Sequence, residues 1–310
     1  MTFELTILGS NAAIPTSKRY PTAQVLNVSE RFFLIDCGEG TQIQLRNNGI
    51  GFSKINNIFI SHIHGDHIFG IFGLLSTFNL LGRKKKLTIH GGGELNTIID
   101  FFVENFVDEL SYEIEVKVIG DRKKIKIYED KIVEVYSFPL KHRINCFGFL
   151  FCEKKKLRNI DKEYLKKHPA SVKDILKLKQ GEDVIKDDGQ ILKYNDYTYE
   201  STAPRSYAYC SDTSYYESLK DFITGVDLLF HESTFLESEL AIAKQTGHST
   251  AKQAAGIAKL VNAKQLIIGH FSARYLDVKM YEEEAKKIFR NTTAVNDGDV
   301  FKVPVVKPES

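Results

Sequence analysis

The chain has no uninterrupted apolar run near the ~20 residues needed to cross a bilayer. Its greasiest segment, Ile68 to Leu81, is broken by Gly70, Gly73, Ser76, Thr77 and Asn79. Among its four cysteines, Cys37, Cys146, Cys152 and Cys210, there is no C-x-x-C pair. That spacing excludes a cysteine-built zinc site and leaves small buried thiols of a reducing compartment. Net charge is nearly absent, since 42 Lys and Arg face 40 Asp and Glu. No charged-then-apolar leader precedes the strand-like Phe3–Leu8, so no secretory signal is expected, and a cytoplasmic location without membrane attachment fits best.

What is present is ample. The 310 residues are 43% hydrophobic and 26% charged, and 21 Phe and 14 Tyr supply enough apolar area to exclude disorder and to build one or two domains. Strand-like and helix-like segments alternate. Strands are expected at Phe3–Leu8, Ala23–Val28, Arg31–Ile35, Asn57–Ser61, Leu87–His90, Glu113–Val118, Lys124–Tyr128, Lys131–Phe138 and Cys146–Phe151. Further strands are expected at Ser206–Cys210, Asp227–His231 and Gln265–His270. Helices are expected up to Asn47-Asn48-Gly49, over Ile68–Leu80 and Leu95–Val107, and over Thr250–Val261. The pattern predicts two sheets faced by helices, an α/β (α+β) sandwich.

One stretch interrupts it. From Glu153 to Gln180 there are ten basic residues against four acidic, an excess of +6, so the rest of the chain carries −4. Charge runs are commonly solvated faces, but clustered cations also grip phosphate backbones by displacing counterions. Short helices at Glu163–Lys167 and Ser171–Leu178 and a turn at Asp187-Asp188-Gly189 are expected here. The expected organisation is a main domain of residues 1–152 and 205–310, with 153–204 inserted as a flexible basic arm.

The sharpest local feature is Ser61-His62-Ile63-His64-Gly65-Asp66-His67, three imidazoles and a carboxylate at the end of an apolar strand. Imidazole nitrogen and carboxylate oxygen suit zinc or manganese. Positions two apart in an extended segment point the same way, so His62 and His64 can reach one cation, while the turn at Gly65 redirects Asp66 and His67 to a second point. Three further residues share a placement just past a strand: His142 after Lys131–Phe138, Asp212 after Ser206–Cys210, and His270 closing Gln265–Gly269.

This set, His62-x-His64-x-Asp66-His67 with His142, Asp212 and His270, resembles the seven-ligand set of the metallo-β-lactamase superfamily, whose αββα sandwich it implies. Leu8-Gly9 and Asp36-Cys37-Gly38 match that superfamily's opening segments. Four more motifs resemble the ribonuclease Z family of tRNA 3′-processing endonucleases: Pro15-Thr16-Ser17-Lys18-Arg19, His231-Glu232-Ser233-Thr234-Phe235, Gly247-His248-Ser249-Thr250 and His270-Phe271-Ser272-Ala273-Arg274-Tyr275. The likeness runs from about residue 3 to 303, with the basic segment where the family carries its tRNA-gripping arm. In that arm His168-Pro169-Ala170 stands where the family usually has a Gly-Pro-rich turn, and Tyr20 follows Arg19 where Asn is common.

The resemblance implies a site residue by residue. His62, His64 and His142 hold one cation, Asp66, His67 and His270 a second, and Asp212 bridges them, with two zinc ions per subunit and manganese acceptable. Asp66 acts as general base, His248 donates a proton to the leaving oxygen, and Glu232 orients His248. Lys18, Arg19, Ser249, Thr250 and Arg274 contact the RNA end, and Lys154, Lys155, Lys156 and Arg158 of the arm grip the tRNA body by shape and phosphate contact. The reaction implied is removal of the 3′ trailer from precursor tRNA, leaving a 3′-hydroxyl on the tRNA and a 5′-phosphate on the trailer. The enzyme implied is a homodimer whose arm serves the partner subunit's site. Two alternatives are a hydrolase of small or cyclic phosphodiesters with the same two-metal site, which has no use for the arm, and a non-catalytic RNA-binding protein, which is expected to have lost ligands.

Overall fold

The computed structural model describes residues 2–120, 123–275 and 277–306. Residues 1, 121–122, 276 and 307–310, all inside the stretches assigned above to the main domain, lie outside that description. By its internal contacts the chain divides into two units. The larger is Met1–Cys152 with Ser206–Val303. The smaller is Glu153–Arg205 with the tail from Pro304, where Ala203 N–H donates to Val306 O at 3.1 Å.

The larger unit holds two seven-stranded sheets. From edge to edge the first runs Val300–Lys302, Phe3–Gly9, Ala23–Val28, Arg31–Ile35, Ile55–Phe59, Leu87–Gly91 and Ile114–Val118. The second runs Thr292–Ala294, Gln265–Gly269, Leu228–Glu232, Ser206–Cys210, Phe147–Glu153, Val133–Pro139 and Ile125–Glu129. Side-chain alternation explains the layering. On Arg31–Ile35, Phe33 and Ile35 enter the core between the sheets, where they meet Phe59, Phe149, Phe151, Tyr207 and Tyr209. Leu34 points the other way, into a second core with Val25 and Ile58 under the helices Ile71–Leu80 and Glu94–Phe106. Ala251, Ala254, Ala255 and Ala258 let the helix Ala251–Leu260 lie close on the outer face of the second sheet. The result is the expected αββα sandwich.

Strand direction places the site. Ser206–Cys210, Leu228–Glu232 and Gln265–Gly269 are parallel, with Cys210 beside His231 and Glu232 beside Gly269. Arg31–Ile35 and Ile55–Phe59 are also parallel, ending at Ile35 and Phe59 side by side. Asp36, Ser61, Asp212, Glu232 and His270 therefore leave their sheets at carboxyl ends, where open sheets gather ligand sites. The expected helix Ile68–Leu80 is split into Gly65–Ile68 and Ile71–Leu80. At the break Gly70 N–H donates to Cys37 O at 2.8 Å, an approach that admits no side chain: a Cβ on Gly70 would lie 2.0 Å from the carbonyl oxygen of Gly38, and one on Gly38 would lie 2.6 Å from that of Asp66. Two glycines thus let the Asp36 turn pack backbone to backbone on the histidine loop.

The smaller unit has its own core of Leu178, Val184, Leu192 and Tyr197 with Tyr164, Leu165, Ala170 and Tyr194. Its helix Lys162–Lys167 is capped by Asp161, and Val172–Gln180 carries a capping box from Ser171 and Asp174 and stops at Gly181 in the left-handed region. The turn expected at Asp187-Asp188-Gly189 joins the short strands Val184–Ile185 and Ile191–Leu192. At its root Arg205 donates to Glu153 through both its backbone and its guanidinium, with Nε–Oε2 2.9 Å and Nη2–Oε1 2.8 Å, both residues being buried. Burial alone would raise the Glu153 carboxyl, but the hydrogen bonds and charge of Arg205 hold it below the usual range. The stability it contributes is present above the ordinary carboxylate pKa and is lost as pH falls through the lower folded value. Glu153→Ala removes the carboxylate that accepts from the buried Arg205 guanidinium, so a cost of about 3 kcal/mol is expected. Thermal unfolding of wild type and variant at pH 7 checks it, and the gap should narrow towards pH 4.

Candidate metal centre

Seven side chains meet at the carboxyl-end edge of the sandwich. His62 Nε2 and His142 Nε2 approach His64 Nδ1 to 3.0 and 3.3 Å, and Asp212 Oδ2 lies 3.5 Å from His62 Nε2 and 3.8 Å from His142 Nε2. Alongside, His67 Nε2 and His270 Nε2 are 3.2 Å apart, Asp66 Oδ2 is 3.2 Å from His270, and Asp212 Oδ1 is 3.3 and 3.2 Å from His67 and His270. Asp212 reaches both groups, one oxygen to each.

Each ring except His64 has its Nδ1 engaged elsewhere. His67 Nδ1 donates to Asp36 Oδ2 at 2.8 Å and His142 Nδ1 to Gly247 O at 2.8 Å. His62 Nδ1 meets Ser61 Oγ at 3.0 Å and His270 Nδ1 meets Thr234 Oγ1 at 2.8 Å. The other ring nitrogens are aimed at common points, the arrangement in which outer hydrogen bonds orient imidazole ligands. Their separations match the ~3.3 Å edge of a tetrahedron of ligands at ~2.0–2.1 Å. Asp212 Oδ1 is buried with no hydrogen-bond partner, a costly state that a cation relieves. The donor set, all nitrogen and oxygen, fits divalent cations of the zinc or manganese kind.

Electrostatics agree. Burial pushes the pKa of His62 and of His142 down, and that of His64 to about 4, keeping these rings neutral. Burial works against charge on His67 too, but Asp212, Asp66 and Asp36 outweigh it and raise its pKa well above the usual value. For Asp66, burial is outweighed by His67 and His270, which hold the carboxyl below its ordinary range while Ala13 N–H donates to its Oδ2 at 2.7 Å. His248 stands beside this set. Its Nδ1 donates to Glu232 Oε1 at 3.0 Å, and Glu232, with Asp212, overcomes burial and raises it to about 9. Glu232 is itself fully engaged, accepting from the backbone of Thr213, Ser249 and Thr234 and from the Thr234 hydroxyl.

An open cleft of about 670 Å³ runs over these groups, lined by Asp66, Asp212, His248 and His270 and rimmed by Arg143 and Arg274. Arg274 Nη1 reaches Glu239 at 3.3 Å. Lys18 is exposed on the loop after the first strand, and the Arg19 guanidinium lies 5.9 Å from the centre of the Phe271 ring. Other residues expected to contact RNA are placed differently. Ser249 and Thr250 are fully buried: the Ser249 hydroxyl donates to Thr213 O, and Thr250 caps the helix Ala251–Leu260 and donates to Glu237. Their hydroxyls close hydrogen bonds inside the protein, next to His248 in sequence and at the start of the helix Ala251–Leu260. In the arm Arg158 spends its guanidinium internally on Thr198, Asn195, Glu200 and the face of Tyr194. Lys156 reaches Thr202 at 3.1 Å and Lys155 lies 3.8 Å from Glu200, while the Lys154 backbone follows the root of the unit. His231 is buried, His90 stacks on Phe59, and His168 lies on the Tyr164 ring, all apart from the cluster.

Asp36, Ser61, Thr234 and the Gly247 carbonyl, which hold the rings, stand in the sequence only as members of motifs, with no role of their own expected. Asp36 carries the same mark as the ligands, a polar residue just past a strand end. The others are visible only once the chain is folded.

Comparison with known proteins agrees with this geometry. A family model described as anti-Pycsar protein Apyc1 matches residues 3–99, the stretch carrying the histidine loop. A curated protein of Bacteroides fragilis strain YCH46 named ribonuclease Z is 45% identical over 290 residues, 94% of this chain and 95% of that protein. Another of that name, from Phocaeicola vulgatus, is 44% identical over 306 residues, 99% of each. The chain belongs to the ribonuclease Z family. Its structure also resembles human tRNase Z, short form, with a TM-score of 0.71 at 27% identity over 97% of this chain and 99% of that one. The metallo-β-lactamase fold protein YhfI of Bacillus subtilis shares the fold, with a TM-score of 0.68 at 16% identity. The ribonuclease Z resemblance and the sandwich expected from the motifs are thereby borne out.

Cations that bind the native cluster and not the unfolded chain stabilise the fold by mass action. Titrating zinc or manganese into metal-stripped protein should raise its Tm by several degrees. The rise should shrink at lower pH, where protons compete for the imidazoles, and be largely lost in Asp212→Ala. Differential scanning calorimetry reads all three.

Proposed function

We propose that this chain is a metal-dependent endoribonuclease that removes the 3′ trailer of precursor tRNA, leaving a 3′-hydroxyl on the tRNA and a 5′-phosphate on the trailer. As a ribonuclease Z family member it is a hydrolytic endonuclease. The observation that carries the reading is the convergence of two nitrogen-and-oxygen sets on the shared carboxylate of Asp212, with the His248–Glu232 pair alongside. His62, His64 and His142 would hold one cation and Asp66, His67 and His270 the other, zinc at both positions with manganese able to substitute. Divalent cations held there supply Lewis acidity at a phosphodiester and lower the pKa of water from ~15.7 towards ~7.

The protein's own groups handle the protons. Asp66, kept a weak base by its imidazole neighbours, is suited to accept a proton at Oδ1 only from a water already acidified. His248 presents Nε2 to the departing 3′ oxygen. Glu232 fixes the proton on Nδ1, and a pKa near 9 keeps the ring charged and able to donate at neutral pH. Arg274, Lys18 and Arg19 would cradle the single-stranded end, and Lys154, Lys155 and Lys156 of the arm would meet the tRNA backbone, which is read by shape and phosphate contacts. Arg158, Ser249 and Thr250 would serve by holding structure in place.

The finer parts of the reading are a homodimer, an arm acting across subunits, and a cytoplasmic location. An exposed aromatic face supports pairing: Phe101 and Phe106 are 53% and 68% exposed, 5.9 Å apart, beside the stacked Phe72 and Phe102. Four free cysteines suit a reducing compartment. Among the described residues no helix is long and apolar enough to cross a membrane.

The test is cleavage of a precursor tRNA bearing a 3′ trailer. Wild type with zinc or manganese should cut just after the discriminator nucleotide. Asp212→Ala should lose more than ~100-fold, beyond what an outer-shell partner costs. Hydrolysis of small phosphodiesters without RNA cleavage would overturn the tRNA assignment. Replacing residues 155–203 by a short Gly-Ser linker is geometrically mild, because Glu153 N–H already donates to Arg205 O at 2.8 Å. It should lower kcat/KM for precursor tRNA by roughly 100-fold through lost phosphate contacts, while a chromogenic phosphodiester turns over as before.

A further inference from the structure

Tyr209 stands on Ser206–Cys210 of the second sheet, fully buried, and its phenol donates to Asp36 Oδ2 at 2.5 Å. Asp36 belongs to the first sheet's side of the sandwich, in the turn after Arg31–Ile35, at φ 55°, where non-glycine residues are uncommon. Its carboxylate is crowded. Oδ1 accepts from Ser61 N–H at 2.7 Å, and Oδ2 accepts from the Ser61 hydroxyl at 2.8 Å, His67 Nδ1–H at 2.8 Å and Tyr209. Three donors thus crowd Oδ2 and one serves Oδ1.

Proton bookkeeping then reaches both cation positions. A carboxylate only accepts, so His67 must carry a proton on Nδ1, which leaves Nε2 as the nitrogen that faces the cluster. The Ser61 hydroxyl, having donated to Asp36, has only lone pairs for His62 Nδ1 and Ser211 Oγ, each at 3.0 Å. For that contact to be a hydrogen bond His62 must carry its proton on Nδ1, whose other neighbour is Cys146 Sγ at 3.6 Å. One carboxylate sets the facing nitrogen of a ring in each group. Burial and the adjacent carboxylate raise the Tyr209 phenol far above its ordinary pKa, so it remains a donor.

We propose that Tyr209 is a positioning residue for the metal centre: from the opposite sheet it completes the Asp36 carboxylate that fixes the orientation and tautomer of His62 and His67. Both cation sites then depend on the spacing of the two sheets. The proposal rests on reading the His/Asp cluster as a metal centre. Tyr207, two residues away on the same strand, is the internal control. It too is fully buried and its phenol crosses to the first sheet, but to Gln24, which touches no ligand of the cluster.

The experiment compares wild type, Tyr209→Phe and Tyr207→Phe as full chains. Each is stripped of metal and titrated with Zn²⁺ against a chromogenic chelator, with Tm measured in parallel. Both variants keep an isosteric ring and lose one cross-sheet hydrogen bond, so similar falls in Tm are expected. Zinc affinity should fall about three- to ten-fold in Tyr209→Phe, somewhat less than the 10–100-fold that losing a ligand's direct partner costs. It should stay within about two-fold of wild type in Tyr207→Phe, on the same outer-shell scale. Equal affinities in the two variants, whether both unchanged or both weakened, would overturn the positioning role. Failure of wild type itself to take up zinc would instead overturn the metal-centre reading on which the proposal rests.

Discussion

A carboxylate buried among imidazoles is the constraint around which the larger unit is arranged. Asp212 is almost wholly shielded from water, one of its oxygens lacks any hydrogen-bond donor, and the nearby rings hold it ionised well below the usual carboxylate range despite its burial. An uncompensated charge in that setting costs several kcal/mol. The fold tolerates it because six other ligand-type groups surround it. Those groups stay in place because strand ends deliver them from both sheets, and a ring of outer acceptors, Asp36, Ser61, Thr234 and Gly247, pins the rings that would otherwise rotate away. The site is thus not carried on loops alone. Its precision is borrowed from parallel ladders whose registers are fixed by the hydrophobic cores beneath them.

The same surroundings set two neighbouring histidines to opposite charge. His64 and His248 are both near Asp212, yet one is pushed down to about 4 and the other up to about 9. Neighbouring imidazoles act with burial on His64, whereas Glu232 sits directly on His248 Nδ1. A neutral ring and a charged ring therefore coexist within one cleft, the condition under which one site can run opposite proton chemistry at a single pH.

Much of this was legible in the sequence where physics is local. Ala23–Val28, Arg31–Ile35 and Ser206–Cys210 have the expected bounds, because apolar alternation flanked by turn residues leaves little choice. The histidine loop declared itself by residue type and spacing. What was illegible depended on distant partners. The narrow edge strands Thr292–Ala294 and Val300–Lys302 and the helices Leu240–Thr246 and Lys279–Lys286 carry weak patterns and exist through tertiary packing. Ser249, Thr250 and Arg158 bear the residue types of substrate contacts, yet their hydrogen bonds close inside the protein. Nothing in one dimension distinguishes a hydroxyl that faces a cleft from one that caps a helix.

The pairing of Val300–Lys302 with Phe3–Gly9 sets a timetable for biogenesis. Leu5 faces Phe301 in that ladder, so the strand Phe3–Gly9 receives this outer neighbour only after all the residues between them have been made. At ribosomal speeds of ~5–20 residues per second, its free edge waits on the order of 15–60 s. During that interval it is an open template for pairing with another nascent chain. The cluster around Asp212 is likewise late to assemble, since His270 is made 203 residues after His67.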